Sequence, residues 1–133
     1  MTFLSKNEFP KGKLKNVAHA IESHSFSAGV QPETIEAQIL QDSDRLEALG
    51  ALGIARCFNV SGQMGAALFD ATDPEGNGRA LDDRAFALDH FESKLLRIAE
   101  TMHTGPAQRI AAERAEFMRQ FRDQLLSEIS PER

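Results

Sequence analysis

The sequence predicts an all-α fold, and three observations predict it. Apolar residues recur at three- and four-residue spacing in several long stretches. No alternating apolar and polar run is long enough for a useful strand. Pro, Gly and Asp punctuate the helical stretches near their ends. The expected architecture is four or five helices around one core, with no internal repeat.

The first nine residues carry little pattern and are expected to be weakly structured, ahead of one helical domain over 10–130 and a short tail at 131–133. Pro10 suits the first turn of a helix, because its ring fixes φ. Leu14, Val17, Ala18 and Ile21 then follow at helical spacing, which predicts a helix from about Lys11 to Ser23. Ser25 to Gly29 forms a loop. Pro32 begins the next helix, with Glu33 and Glu36 near its positive end and Ile35, Ile39 and Leu40 as its apolar face. Asp42, Ser43 and Asp44 are three poor interior helix formers in a row, so a break or a change of helix is expected near there. The apolar pattern resumes through Leu46, Leu49, Leu52, Ile54 and Phe58.

Residues 59–83 hold most of the loop signals, including Ser61-Gly62, Asp73-Pro74 and Gly76-Asn77-Gly78. Asp82 is expected to cap a third helix carrying Phe86, Phe91, Leu95 and Ile98 to about Thr101. Gly105-Pro106 precedes a last helix with Ile110, Phe117, Met118, Phe121, Leu125 and Ile129, which Ser130-Pro131 ends.

Composition bounds the function. A chain of 133 residues suits one domain, and 41% hydrophobic with 26% charged residues allows a packed core. All nine aromatic residues are Phe, which suits a core better than polar-tipped anchoring. The net charge of -5 argues against a polynucleotide partner, since such binding draws on cationic side chains and counterion release. Cys57 is the only cysteine and sits in an apolar run, so no internal disulfide forms and a reducing, cytoplasmic setting is expected. No segment approaches the roughly 18 apolar residues of a membrane span.

The densest polar group on otherwise apolar helices is His19, His24, Asp42 and Asp44. Imidazole nitrogens and carboxylate oxygens are the donors that Zn, Mn, Fe and Mg sites use. Spacing limits what they build locally. His19 and His24 lie about 140° apart around a helix, and Asp42 and Asp44 roughly 200° apart, so neither pair chelates from one regular helix. A site would have to be assembled between helices; the alternative is a surface histidine, a helix-end histidine and two turn aspartates. The run Asp73-Pro74-Glu75-Gly76-Asn77-Gly78 opens like a calcium loop, but its twelfth position is Arg84, where a bidentate acid is needed.

Several longer motifs carry a family resemblance. Val17 to Ala28 (VAHAIESHSFSA) and Ile39 to Gly50 (ILQDSDRLEALG) resemble the HAI-x-x-HSFSA and DADRL-x-ALG stretches of a bacterial branch of HD-domain phosphohydrolases. Leu81-Asp82-Asp83 and Asp89 to Leu96 (DHFESKLL) are similar to its LDD and DHF-x-x-KLL segments. The likeness runs from about Phe9 to Ile129. It implies an HD-domain-like helical bundle and metal-dependent hydrolysis of phosphoester or phosphoanhydride bonds, commonly in nucleotides, with Mn, Mg, Fe or Zn as the divalent ion.

The resemblance assigns Asp44 to the family's distant metal-ligating aspartate. The family's first histidine and its His-Asp doublet belong to helices upstream of the element matched by Phe9-Pro10, and only eight residues precede that element here. Asp89-His90 is reversed in order and sits in a different motif. Of the remaining matched positions, His24 and Asp42 are candidates for catalysis; His19, Arg45 and Lys94 are candidates for holding a phosphorylated substrate. Each has a plainer role open to it: packing for His19 and His24, helix capping for Asp42, ion pairing for Arg45, a solvated helix face for Lys94. His90 could meet the same cleft, and packing is its expected role.

Two functions follow. One is a phosphohydrolase for nucleotides or similar small phosphates, incomplete as this chain alone. The other is a non-catalytic helical protein acting through self-association or a protein partner, because lost upstream helices would expose an apolar face. Homo-oligomers or a supplied N-terminal segment are the expected partners.

Overall fold

The computed structural model describes residues 2–130, so the expected tail at 131–133 lies outside the described residues. Among the described residues every regular element is helical, and the only ladder contact is an isolated bridge between Ala67 and Phe86. In chain order the α-helices are α1 (Thr2–Lys6), α2 (Leu14–Ser23), α3 (Ile35–Leu46), α4 (Gly50–Gln63), α5 (Ala87–His90), α6 (Leu96–Ile98) and α7 (Gly105–Ile129). The all-helical expectation holds. A short helix, α1, occupies the stretch where the sequence shows little pattern.

Contacts gather the chain into two compact units, one ending at Arg45 and the other starting at Leu46. In the first unit, α2 follows a 3₁₀ turn at Lys11–Lys13, close to the expected start. Helix α3 begins at Ile35, later than Pro32, because the Thr34 hydroxyl accepts from the Ala37 amide and closes the first turn. The helix runs unbroken through Asp42-Ser43-Asp44, and the change of helix expected near there falls just beyond, after Leu46. The Ser43 hydroxyl donates to the Ile39 carbonyl one turn back at 2.8 Å, so it bonds within the helix instead of against it.

The chain turns after Leu46. Leu49 is extended and Gly50 has φ +72, a left-handed conformation that suits glycine. Gly53, one turn into α4, has no room for a side chain, since a Cβ would stand 2.2 Å from the Ala48 carbonyl oxygen. Within the second unit the Arg114 guanidinium donates to the Leu46 carbonyl at 2.6 Å.

Within the second unit α4 packs on α7, and Leu49, Ile54, Leu88, Phe91, Leu95 and Met118 are among the buried core. Phe58, Phe91 and Phe121 meet with ring centroids 5.9 to 6.2 Å apart, the tilted geometry aromatic rings prefer. Cys57 is buried among them as expected, and burial pushes its thiol pKa up, with the Ser61 hydroxyl opposing. Thr104 accepts from the Ala107 amide and Pro106 lies in the first turn, so α7 starts where the sequence places it.

The loop after α4 is shorter than expected, because α4 runs on to Gln63 through Ser61-Gly62. Asp82 does not cap a long helix. Its carboxylate accepts from the Arg84 and Ala85 amides in a turn, and α5 begins only at Ala87. The segments around Ala67 and Phe86 run side by side, with Ala87 donating to the Ala67 carbonyl. Between α5 and α6 the helix widens into a π turn over Phe91–Leu95.

Arg79 gathers the loop. Its guanidinium binds both oxygens of the buried Asp89 at 2.5 and 2.9 Å, reaches the Asp73 carbonyl, pairs with Asp70 and lies over the Phe86 ring. The bidentate Asp89 contact is the foremost cause that raises the Arg79 pKa.

Candidate functional site

The matched residues of the first unit sit at the end of α2 and the end of α3. Gln41 donates to the Ser23 carbonyl at 2.6 Å, a buried bond that joins these two helices next to His24 and Asp42. The Ser23 hydroxyl in turn donates to the His19 carbonyl at 2.8 Å. The two motifs that resemble HAI-x-x-HSFSA and DADRL-x-ALG are therefore in direct contact.

His19 is held by its far ring nitrogen: the Glu33 amide donates to Nε2 at 2.9 Å. That nitrogen accepts, so the ring carries its proton on Nδ1 and is neutral in this arrangement. His24 is oriented the other way, with Nδ1 2.5 Å from the Ile21 carbonyl. Because a carbonyl only accepts, Nδ1 carries the proton and Nε2 is the ring's basic edge. Asp42 is buried at 2% exposure, whereas Asp44 is exposed. Arg45 follows them in α3, and burial lowers its pKa against the raising effect of Asp42 and then Asp44.

Lys94 belongs to the second unit. It lies exposed on the π turn, four residues after His90. His90 itself has Nδ1 3.3 Å from the Asp83 carboxylate, and the Ser93 hydroxyl donates to the same oxygen at 3.4 Å. Packing, the role expected of His90, is only part of its surroundings, since its side chain is 25% exposed.

Among the described residues no three His, Cys, Asp or Glu side chains converge as a metal-holding group. A divalent ion on Asp44 alone would stay largely hydrated. An open cavity of ≈ 710 Å³ in the second unit includes Arg97, Arg119, Arg122, Glu92 and Glu100 in its wall, but none of the residues the sequence singled out for the site. Its charges are of both signs, and Arg122 is already engaged by Glu92 and Asp123.

Two features escaped sequence reasoning: the Arg79–Asp89 pair and the Asp83–His90 contact. A shared signal exists in the doublets Asp82-Asp83 and Asp89-His90, whose members meet across seven residues: Asp89 accepts from the Asp82 amide, and His90 faces the Asp83 carboxylate. Helical spacing does not reveal such a match, because a turn intervenes.

The sequence matches no family model. It is 37% identical over 123 residues to an uncharacterized protein of Bacillus subtilis, YpgQ, an alignment that spans 90% of this chain and 54% of YpgQ. The YpgQ crystal structure in complex with ADP is similar at a TM-score of 0.78 and 36% identity, covering 97% of this chain and 59% of that one. An HD-superfamily hydrolase from Bacillus thuringiensis is similar at a TM-score of 0.75 and 35% identity, covering 96% and 58%. The chain thus spans little more than half the length of these relatives. No helix among the described residues is long and apolar enough to cross a membrane.

Proposed function

We propose that this chain is part of a metal-dependent phosphohydrolase acting on nucleotides or other small phosphate esters and anhydrides. Residues 10–130 are read as a partial HD-type helical domain. The observation that carries this reading is the ADP complex of a 36% identical structure that is similar over 97% of this chain. The hydrolase from Bacillus thuringiensis supports the reaction class.

In this reading Asp44 is the one metal-ligating residue supplied here, and further donors come from outside these residues. His24 offers Nε2 as an acceptor towards a water or a protonated phosphate, because the Ile21 carbonyl occupies Nδ1. Asp42, being buried, orients a neighbouring group instead of meeting substrate directly. Within the first unit His19 and Arg45 hold the phosphorylated ligand, His19 through Nδ1 since Nε2 is engaged; Lys94, in the second unit, is a separate candidate for contacting phosphate.

The test uses the purified chain with Mn²⁺ or Mg²⁺ and a panel of nucleoside di- and triphosphates. Association with ADP and little or no turnover are expected. Absence of any ADP association overturns the nucleotide reading. Robust turnover that Asp44→Ala abolishes overturns the incompleteness.

A second reading has its own observation. Ile35, Ile39, Leu40, Leu52 and Met64 are exposed, with Leu52 at 78%. Exposed large apolar side chains favour association where they cluster, so a non-catalytic helical protein that self-associates or binds a protein partner is the alternative. A sedimentation series that stays monomeric at all concentrations excludes self-association.

A further inference from the structure

We propose that Asn77-Gly78 is a deamidation site and that the Asp73 carboxylate is the latch that keeps it slow in the folded protein. The proposal is independent of the phosphohydrolase reading. It concerns the run Asp73 to Gly78, which the charge of Arg84 removes from calcium binding.

Asparagine is among the thermolabile residues, and its route of loss is intramolecular. The deprotonated backbone nitrogen of the next residue attacks the side-chain carbonyl carbon. A new C–N bond closes a cyclic imide, and the Cγ–Nδ2 bond breaks. The proton of the attacking nitrogen goes to solvent, and the departing nitrogen regains one and leaves as ammonia. Water then opens the imide at either carbonyl, giving aspartate or isoaspartate, with no oxidant or reductant. Glycine is the follower that hinders this least, since no Cβ crowds its nitrogen and its backbone turns freely. Asn77 and Gly78 are both exposed, so water reaches them.

Three bonds oppose that route here. The Gly78 amide donates to Asp73 Oδ2 at 2.8 Å and the Asn77 amide to Oδ1 at 3.1 Å, so one carboxylate holds both backbone nitrogens. Its negative charge also disfavours the anionic Gly78 nitrogen that the attack requires. The Gly78 amide is in turn the foremost cause that holds the Asp73 carboxyl below its usual range, so the latch stays charged at neutral and alkaline pH. The Asn77 side chain is held as well, with Nδ2 donating to Glu75 Oε2 at 2.7 Å. A carboxylate only accepts, which fixes the end of the carboxamide that faces it.

Conversion changes this loop. The new carboxylate at position 77 meets Glu75 where an amide donated before, and isoaspartate lengthens the backbone between the two nitrogens that Asp73 holds. Arg79 lies two residues further, bound to the Asp73 carbonyl and to the buried Asp89 of α5. The modification therefore falls beside the contacts that fasten the loop to α5.

The full chain is kept in mildly alkaline buffer, and aspartate plus isoaspartate at position 77 are followed by peptide mass spectrometry. Asp73→Ala should convert about tenfold faster than the unsubstituted chain, the scale of one lost hydrogen bond to a charged acceptor. The unsubstituted chain in urea should convert as fast as Asp73→Ala. Adding Gly78→Ala should remove the acceleration, and the folded loop accepts it, because a Cβ at position 78 meets nothing nearer than Asp73 Oδ2 at 3.6 Å. Asp70→Ala is the control: it takes away the Thr72 and Arg79 contacts of the same loop without touching the Gly78 amide, and it should accelerate conversion less. Equal rates for Asp70→Ala and Asp73→Ala overturn the proposal. Slower conversion in Asp73→Ala overturns it too, since the carboxylate would then be a base that assists the attack. If Asp73→Ala does not fold, the unsubstituted chain with and without urea carries the test, and one rate in both conditions overturns the latch.

Discussion

Up to Arg45 the chain buries Ser23, Ala37, Gln41 and Asp42, and leaves Ile21, Ile35 and Ile39 on the surface. From Leu46 onward the buried set includes Leu49, Ile54, Leu88, Phe91, Leu96, Ile98 and Met118, with Asp89 as its buried acid. The second unit is organised as an ordinary apolar core. The first is joined by specific polar bonds, Gln41 to Ser23 and Ser23 to His19, while its large aliphatic side chains find no buried place. The first unit also carries five of the six residues the family resemblance marks for chemistry. Hydrophobic burial contributes about 1.5 to 3 kcal/mol for a large side chain, and this region leaves much of that unrealised. A region of that kind is suited to completing its interior against further protein.

The comparison is broken most severely by removing the ring at the centre of the second unit. Phe91→Ala should cost about 3 to 5 kcal/mol, because the cavity is enclosed on all sides. Urea unfolding measures it; a loss below 1 kcal/mol would mean the aromatic trio is not the core.

The first unit should respond to polarity where the second responds to volume. Gln41→Leu keeps a similar size and adds apolar surface, yet it strands the Ser23 carbonyl. A loss of about 1 to 3 kcal/mol is expected in thermal melts. A stabilised variant would show that the unit prefers an apolar interior after all.

Acid should loosen the second unit at one place. Asp70 has its pKa lowered, foremost by the Thr72 hydroxyl, and Asp73 likewise, foremost by the Gly78 amide. A folded-state pKa below the unfolded value means stability that is present at neutral pH. It is lost as pH falls below about 4 and through the folded value. Amide protection at Asn77 and Gly78, relative to the intrinsic exchange rate, should therefore fall as pH drops below about 4. Constant protection across that range contradicts the assignment.

The smallest effect is expected on the exposed face of α3. Ile39→Lys should change stability by no more than about 0.5 kcal/mol and should reduce association in sedimentation. Unchanged association would remove Ile39 from any contact surface.

The helical class was legible because periodicity and punctuation are local, and Thr104 with Pro106 marks the start of α7 in sequence as in structure. The turn after Leu46 was not. Ser43 finds a bond within its own helix, and Leu46 is held by Arg114, far along the chain. The π turn and the Arg79–Asp89 pair were hidden for the same reason, since each depends on partners that a loop brings together. For the candidate site, spacing showed that no single helix chelates a metal, and motif resemblance pointed to His24, Asp42 and Asp44. Spacing did not reveal that Ser23 and Gln41 join those motifs, nor that Asp83 faces His90.

The central claim concerns coordination, and titrating the purified chain with Mn²⁺, followed by electron paramagnetic resonance, tests it most directly. The expected result is loose association weaker than about millimolar, as for a lone carboxylate. A micromolar site held by one copy of the chain and lost in Asp44→Ala would contradict it.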